Sequence, residues 1–116
     1  MQRKFDLKER ILSFILQVIA LTKKLPQDRT NAVFVNQIIR SVTSVGANYE
    51  EADGARSKRE LISIMGIVKK EAKETKYWLE IIKLANPKLL REAEKLQDEN
   101  EEIIKITAKI IINSSN

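Results

Sequence analysis

Apolar residues recur along this chain at intervals of three and four, in four separate stretches. In the first, Leu7, Ile11, Phe14, Val18, Leu21 and Leu25 would share one face of an α-helix, where successive residues turn by about 100°. Ile38, Val42, Val45, Tyr49 and Ala52 repeat the pattern, and Leu61, Ile64, Val68, Ala72, Thr75, Leu79 and Ile82 repeat it again. A fourth, sparser face holds Leu89, Leu96, Ile103, Thr107 and Ile110. No stretch alternates as a strand would. Punctuation falls between the stripes. Leu25-Pro26 stops the first helix, because the residue before proline is pushed out of the α region. Gly54 ends the second, and Ser57-Lys-Arg-Glu60 reads as a capping box for the third. Asn86-Pro87 closes the third and opens the fourth, with Asn86 as N-cap. Helices are therefore expected at about 6–25, 30–53, 58–85 and 87–112 of a single domain, 1–116, with Met1 to Phe5 and Asn113 to Asn116 frayed. Short loops make neighbours antiparallel. The fold class is all-α, an up-down-up-down antiparallel four-helix bundle.

Some positions exceed what a bundle needs. On the second helix Gln37, Arg40, Ser44, Asn48 and Glu51 form a polar row at equally regular spacing. Such a row is ordinarily solvated surface, but its regularity also suits recognition or assembly. On the third helix Glu71 falls among Ile64, Val68 and Trp78, with Glu74 at the edge of that face. A carboxylate so placed needs a donor, since an unpaired buried charge costs several kcal/mol. The row headed by Arg40 is the expected partner, with Arg10 and Gln17 in reserve. The first helix carries a second apolar strip of Leu12, Ile15, Leu16 and Ile19. On a monomer it would be a large exposed patch, which soluble monomers seldom tolerate, so a subunit contact is expected.

Composition narrows the chemistry. The chain has 116 residues, 43% hydrophobic and 32% charged, which suits one globular domain. It contains no Cys, which removes thiol nucleophiles and thiolate metal sites, and no His, the usual general base near neutral pH. Glu71-Ala-Lys-Glu74 has the carboxylate spacing of a bundle metal site but lacks the histidine partners. A sugar-cleaving acid pair would need a cleft that a narrow bundle does not suggest. The expectation is no enzyme, no cofactor and no metal. The start MQRKFDLKER followed by ILSFILQVIAL imitates a signal peptide. Asp6, Glu9, Ser13 and Gln17 interrupt it, and the run is too short to span a bilayer, so a cytoplasmic protein with no membrane partner is expected.

The net charge is +5 and the pI about 9.5, which favours anionic partners. The excess lies early: residues 1–60 hold 11 Lys/Arg against 7 Asp/Glu, and residues 61–116 hold 10 against 9. Loop residues Lys23, Lys24, Arg29, Arg56, Lys58 and Arg59 are the candidate phosphate contacts. Tyr49, Tyr77 and Trp78 are the later aromatics that could stack on bases, with Trp78 assigned to the core by its periodicity.

Leu25-Pro26, Gln37-x-x-Arg40-Ser41-x-x-Ser44-x-x-x-Asn48-x-x-Glu51-Ala52, Ser57, and Glu71-Ala72-x-Glu74-Thr75-x-Tyr77-Trp78-Leu79 occur in this order. Together they resemble the small bacterial four-helix bundle proteins encoded within intervening sequences of 23S ribosomal RNA genes. That group includes the accessory variability determinants of diversity-generating retroelements. The likeness spans residues from about 5 to 85. It implies a ring-like homopentamer with a basic surface, which in the retroelement branch binds a reverse transcriptase and nucleic acid. This chain resembles the intervening-sequence branch more, through ANYEEA and YWL. It departs at Glu50 and at Ile64, the latter a position often filled by Lys in relatives, and both departures lower the local positive charge. The expected function is thus a non-enzymatic, homo-oligomeric accessory protein that binds RNA or DNA. The alternative is a protein-interaction adaptor, such as a reverse-transcriptase subunit, with little nucleic-acid affinity of its own.

Overall fold

Each of the four apolar stripes sits on its own helix. A computed structural model describes residues 6–115, giving α1 (Asp6–Thr22), α2 (Arg29–Asp53), α3 (Lys58–Ala85) and α4 (Leu90–Ser115), with a 3-10 turn at Pro87–Leu89 before α4. No strand occurs among the described residues. The body measures 46 × 26 × 18 Å. An α-helix of 28 residues is about 42 Å long, so α3 accounts for the long dimension, whereas the 17 residues of α1 cover little more than half of it.

The helix ends follow local chemistry, with adjustments. α1 stops at Thr22, three residues short of the expected end. There the Thr22 hydroxyl donates to the Ile19 carbonyl (2.6 Å), and Lys24 N–H bonds Leu21 O (3.0 Å), tightening the last turn before Pro26. Asp28 caps α2 by accepting from Asn31 N–H at 2.7 Å. Ser57 caps α3 through Glu60 N–H at 3.0 Å. The reciprocal half of that box is displaced by one residue, since the Glu60 carboxylate accepts from Arg56 N–H at 2.7 Å. Asn86 does not cap α4. Its side-chain amide donates instead to Asn31 Oδ1 (3.0 Å) and Ile82 O (3.1 Å), so Pro87 opens a 3-10 turn and α4 starts at Leu90. α4 stays helical to Ser115, beyond the expected fraying at Asn113, while Met1 to Phe5 and Asn116 lie outside the described residues.

The core is the union of the four stripes. Ile11, Phe14, Val18, Ile38, Val42, Val45, Val68, Ala72, Leu79, Ile82 and Ile103 are each at most 1% exposed. Sequence periodicity misses Met65, Ala93 and Ile104, which are also buried. Tyr49, Leu61, Ile64, Leu89 and Ile110 are half-buried at its margin. Polar links inside the body join neighbouring helices. Ser41 and Thr75 share a buried hydroxyl pair at 2.9 Å between α2 and α3. Buried Asn100 of α4 donates to the Ala72 carbonyl of α3 at 2.9 Å. α4 returns to α1 through Arg10–Glu99 and to the segment just after α1 through Lys24–Glu92.

Candidate nucleic-acid interface

The polar row of α2 and the acidic residues of α3 do meet, along the groove between the two helices. Their pairing differs from the sequence expectation. Arg40 Nη1 lies 3.9 Å from Glu74 Oε2, not from Glu71, and the indole N–H of Trp78 donates to the same oxygen at 3.3 Å. Asn48 donates back within its own helix, to Ser44 O (2.8 Å) and Ser44 Oγ (3.0 Å). With Asn48 so committed and Arg40 one helical turn away at Glu74, Glu71 Oε1 is buried without a donor. Gln37 is half-buried and Glu51 exposed, and neither makes a side-chain link to Glu71 or Glu74. Arg10, held in reserve as a partner for Glu71, is taken by Glu99 in a two-pronged contact at 2.6 and 3.0 Å. That hydrogen bond to Glu99, more than the carboxylate's charge, raises the Arg10 pKa above its already high ordinary value against the opposing effect of burial.

The second strip of α1 divides. Leu12 and Leu16 are 50% and 66% exposed. Ile15 instead packs against the core, where its Cδ1 would lie 2.8 Å from a Cβ added at Gly46 of α2. Glycine at position 46 thus opens the seat for Ile15. Ile19 is half-buried. The apolar surface facing outward is therefore Leu12 and Leu16, narrower than the four-residue strip.

The six candidate cations are all exposed, but they do not form one patch. Lys23, Lys24 and Arg29 stand at the start of α2, and Arg56, Lys58 and Arg59 beyond its end. The 25 residues of α2 separate the groups by about 37 Å. Lys24 is drawn to Glu92 at 3.6 Å, while the other five form no ion pair with a described residue. Lys23 and Arg29 flank an open pocket of about 700 Å³ whose apolar lining comes from Leu25, Pro26, Ala32 and Val35.

Charge also divides by helix, a feature that splitting the chain at residue 60 conceals. α3 carries seven Lys/Arg against four Glu, while α4 carries four against six Asp/Glu. Acidic residues Asp98, Glu99, Glu101 and Glu102 gather in a shallow groove with Gln17 of α1. Glu80 of α3 lies at the α3–α4 seam. The Gln97 amide and the Lys83 ammonium hydrogen-bond it and hold its carboxyl below the usual range. Among the described residues no helix is long and apolar enough to cross a membrane.

Comparison with known proteins gives two findings. The family described as 23S rRNA-intervening sequence protein matches over residues 3–109. Four chains of solved structures match. One of them is a crystal structure of a protein with unknown function from the S23 ribosomal protein family of Bacteroides thetaiotaomicron. It is 35% identical, superposes with a TM-score of 0.82, and the match covers 90% of this chain and 97% of that one. No curated protein matches.

Proposed function

Because this chain belongs to the 23S rRNA-intervening sequence protein family, we propose that it is a cytoplasmic, non-catalytic accessory protein that binds nucleic acid as a homo-oligomer. The observation that carries the reading is the set of exposed cations at the two ends of α2. The side chains of Lys23, Arg29, Arg56, Lys58 and Arg59 form no ion pair with an acid among the described residues. Free, solvated cations are what a phosphate backbone neutralises with least cost, because no internal ion pair has to break. The protomer is an up-down-up-down bundle, supported by the pairs Lys8–Glu50 and Asn31–Asn86, which link the start of one helix to the end of the next, and Glu80–Gln97, which links the late part of α3 to the early part of α4. Exposed Leu12 and Leu16 support assembly, with a ring-like homopentamer as the form that the family resemblance implies.

Retention of RNA and DNA measured between about 50 and 200 mM salt tests the reading. Phosphate contacts make affinity fall steeply over that range. Substituting Lys23, Arg29, Arg56, Lys58 and Arg59 by Gln should flatten the dependence and leave the oligomer intact. Glu50 is exposed and bound to Lys8 at 3.3 Å. Glu50→Arg should strengthen binding if that edge faces the nucleic acid. Wild-type protein that retains neither RNA nor DNA at the low-salt end would sink this function and leave the protein adaptor, of a reverse transcriptase for example, as the reading.

A further inference from the structure

We infer that the solvent face of α3 is a track for single-stranded nucleic acid, with phosphates on Arg59, Lys70 and Lys73 and a base stacked on Tyr77. The inference rests on the nucleic-acid reading above and specifies which face and which strand form. At about 100° per residue these four side chains fall within an arc of about 60°. All four are exposed, and the three cations form no ion pair with a described residue. The ion pairs that α3 does make use Glu74, Lys76, Glu80 and Lys83, which point to the flanks toward α2 and α4. Three unpaired cations thus share the outward stripe, while Lys76 and Lys83 on the flanks are paired with acids and Lys58 and Lys69 beside the stripe are not. Position 66, between Arg59 and Lys70, is glycine, and a Cβ built there meets nothing within 4 Å, so the middle of the track is open.

Tyr77 is what turns a basic stripe into a site of defined chemistry. It is 55% exposed, although an unpartnered aromatic ring gains by burial. It is also held in place. Trp78 meets it edge-on, with ring centroids 4.9 Å apart and planes at 76°, while Trp78 is itself fixed by Phe34 at 6.3 Å and by the Glu74 carboxylate. A positioned, solvent-facing ring beside free lysines suits the unstacked bases of a single strand. A duplex keeps its base faces covered and could use the lysines alone. From Arg59 to Tyr77 the helix rises about 27 Å, enough for several nucleotides.

The protein has one tryptophan, so its fluorescence reports on this place. Titration with single-stranded oligonucleotides and with the matching duplexes, each read by anisotropy of a labelled strand and by Trp78 emission, tests the inference. Tyr77→Ala should weaken single-strand binding about ten-fold and leave duplex binding nearly unchanged, and Tyr77→Phe should restore it. Lys70→Gln with Lys73→Gln should lower the single-strand salt slope by about 0.7 per lost contact. Wild-type binding that is equal for both strand forms, leaves Trp78 emission unmoved and survives the Tyr77 and lysine substitutions would overturn the α3 track but leave the nucleic-acid function standing. Absence of any binding by the wild type would overturn both.

Discussion

Helices α1 and α3 each turn one side to solvent, and the balance of side chains there differs. The middle of α1 exposes Leu12 and Leu16, whereas α3 exposes Arg59, Lys70, Lys73 and Tyr77, with the apolar Ile67 and Leu84 exposed as well. Their inner attachments differ as well. α3 is fastened to its neighbours by side-chain hydrogen bonds through the buried Thr75, Asn86 and Asn100 in addition to its apolar stripe. Among its described residues α1 has no buried polar link; Leu7, Ile11, Phe14, Val18 and Leu21 hold it, with Arg10–Glu99 and Lys8–Glu50 at its edges. Apolar burial is non-directional, while hydrogen-bonded pairs fix register. The difference suggests a division of labour. α3 is registered and carries charge outward, while α1 is bound mainly by apolar contact area and, in the proposed assembly, leaves Leu12 and Leu16 for a neighbouring copy.

The sharpest way to break this comparison is to attack the two faces of α1 separately. Phe14 is fully buried, and Phe14→Ala should cost about 3–5 kcal/mol, read as a lowered urea midpoint. Leu12→Lys with Leu16→Lys should instead leave the protomer helical and shift the mass, measured by light scattering with gel filtration, toward the 13.3 kDa single chain. A wild type that already runs as a monomer would remove the assembly role from α1. Ile15 belongs with the inner face, because it packs on the core opposite Gly46, and its substitution would mix folding with assembly.

A smaller effect separates edge pairs from the α2–α3 groove. Glu99→Ala removes both prongs of the Arg10 contact and should cost about 1 kcal/mol, the upper range for a part-exposed pair with good geometry. Glu71→Gln should cost nothing or stabilise slightly, since it replaces a carboxylate with a buried, donorless oxygen by a neutral amide. The pairing that the sequence leads one to expect of Glu71 belongs instead to Glu99. Urea midpoints equal to wild type for both variants would show that neither the Arg10–Glu99 pair nor the donorless Glu71 oxygen matters to stability.

That reversal marks where the sequence stops being legible. Period and punctuation locate the four helices and nearly all of the core, because burial follows side-chain phase and phase is written in the spacing of Leu, Ile and Val. They also bring the polar row of α2 beside Glu71 and Glu74. Which donor reaches which acceptor depends on helix register to within one turn, and spacing along one helix cannot supply the offset between two. Arg40 consequently meets Glu74 rather than Glu71. The six candidate cations are legible as exposed, though Arg29, Lys58 and Arg59 lie in helices rather than loops, and their separation follows from the length of the second helix. Tyr77 is legible as a candidate for stacking on bases, together with Tyr49 and Trp78. It shares the phase of Arg59, Lys70 and Lys73, and a helical projection of α3 for charge as well as for hydrophobicity sets it apart from the other two.

The smallest expected effect lies at the seam between α1 and α2. Tyr49 is half-buried there, beside Asp53 and Glu50, with Lys8 across from it on α1. Burial foremost, and then the two carboxylates, raise the phenol pKa above its ordinary value near 10, while Lys8 pulls the other way. The sign follows from proton linkage. Below about pH 10 folded and unfolded chains both hold the proton, and Tyr49 adds no pH dependence. Above it the unfolded chain releases a proton that the fold retains, so stability declines as pH rises through the folded value. Urea midpoints taken from pH 8 to pH 11 should fall less steeply for Tyr49→Phe than for wild type, with lysine titration common to both. If α1 is held by apolar contact area as argued, Tyr49→Phe should leave the midpoint at pH 8 nearly unchanged, since the ring and its packing remain. A large loss at pH 8 would instead reveal a polar anchor between α1 and α2, and the contrast with α3 would have to be withdrawn.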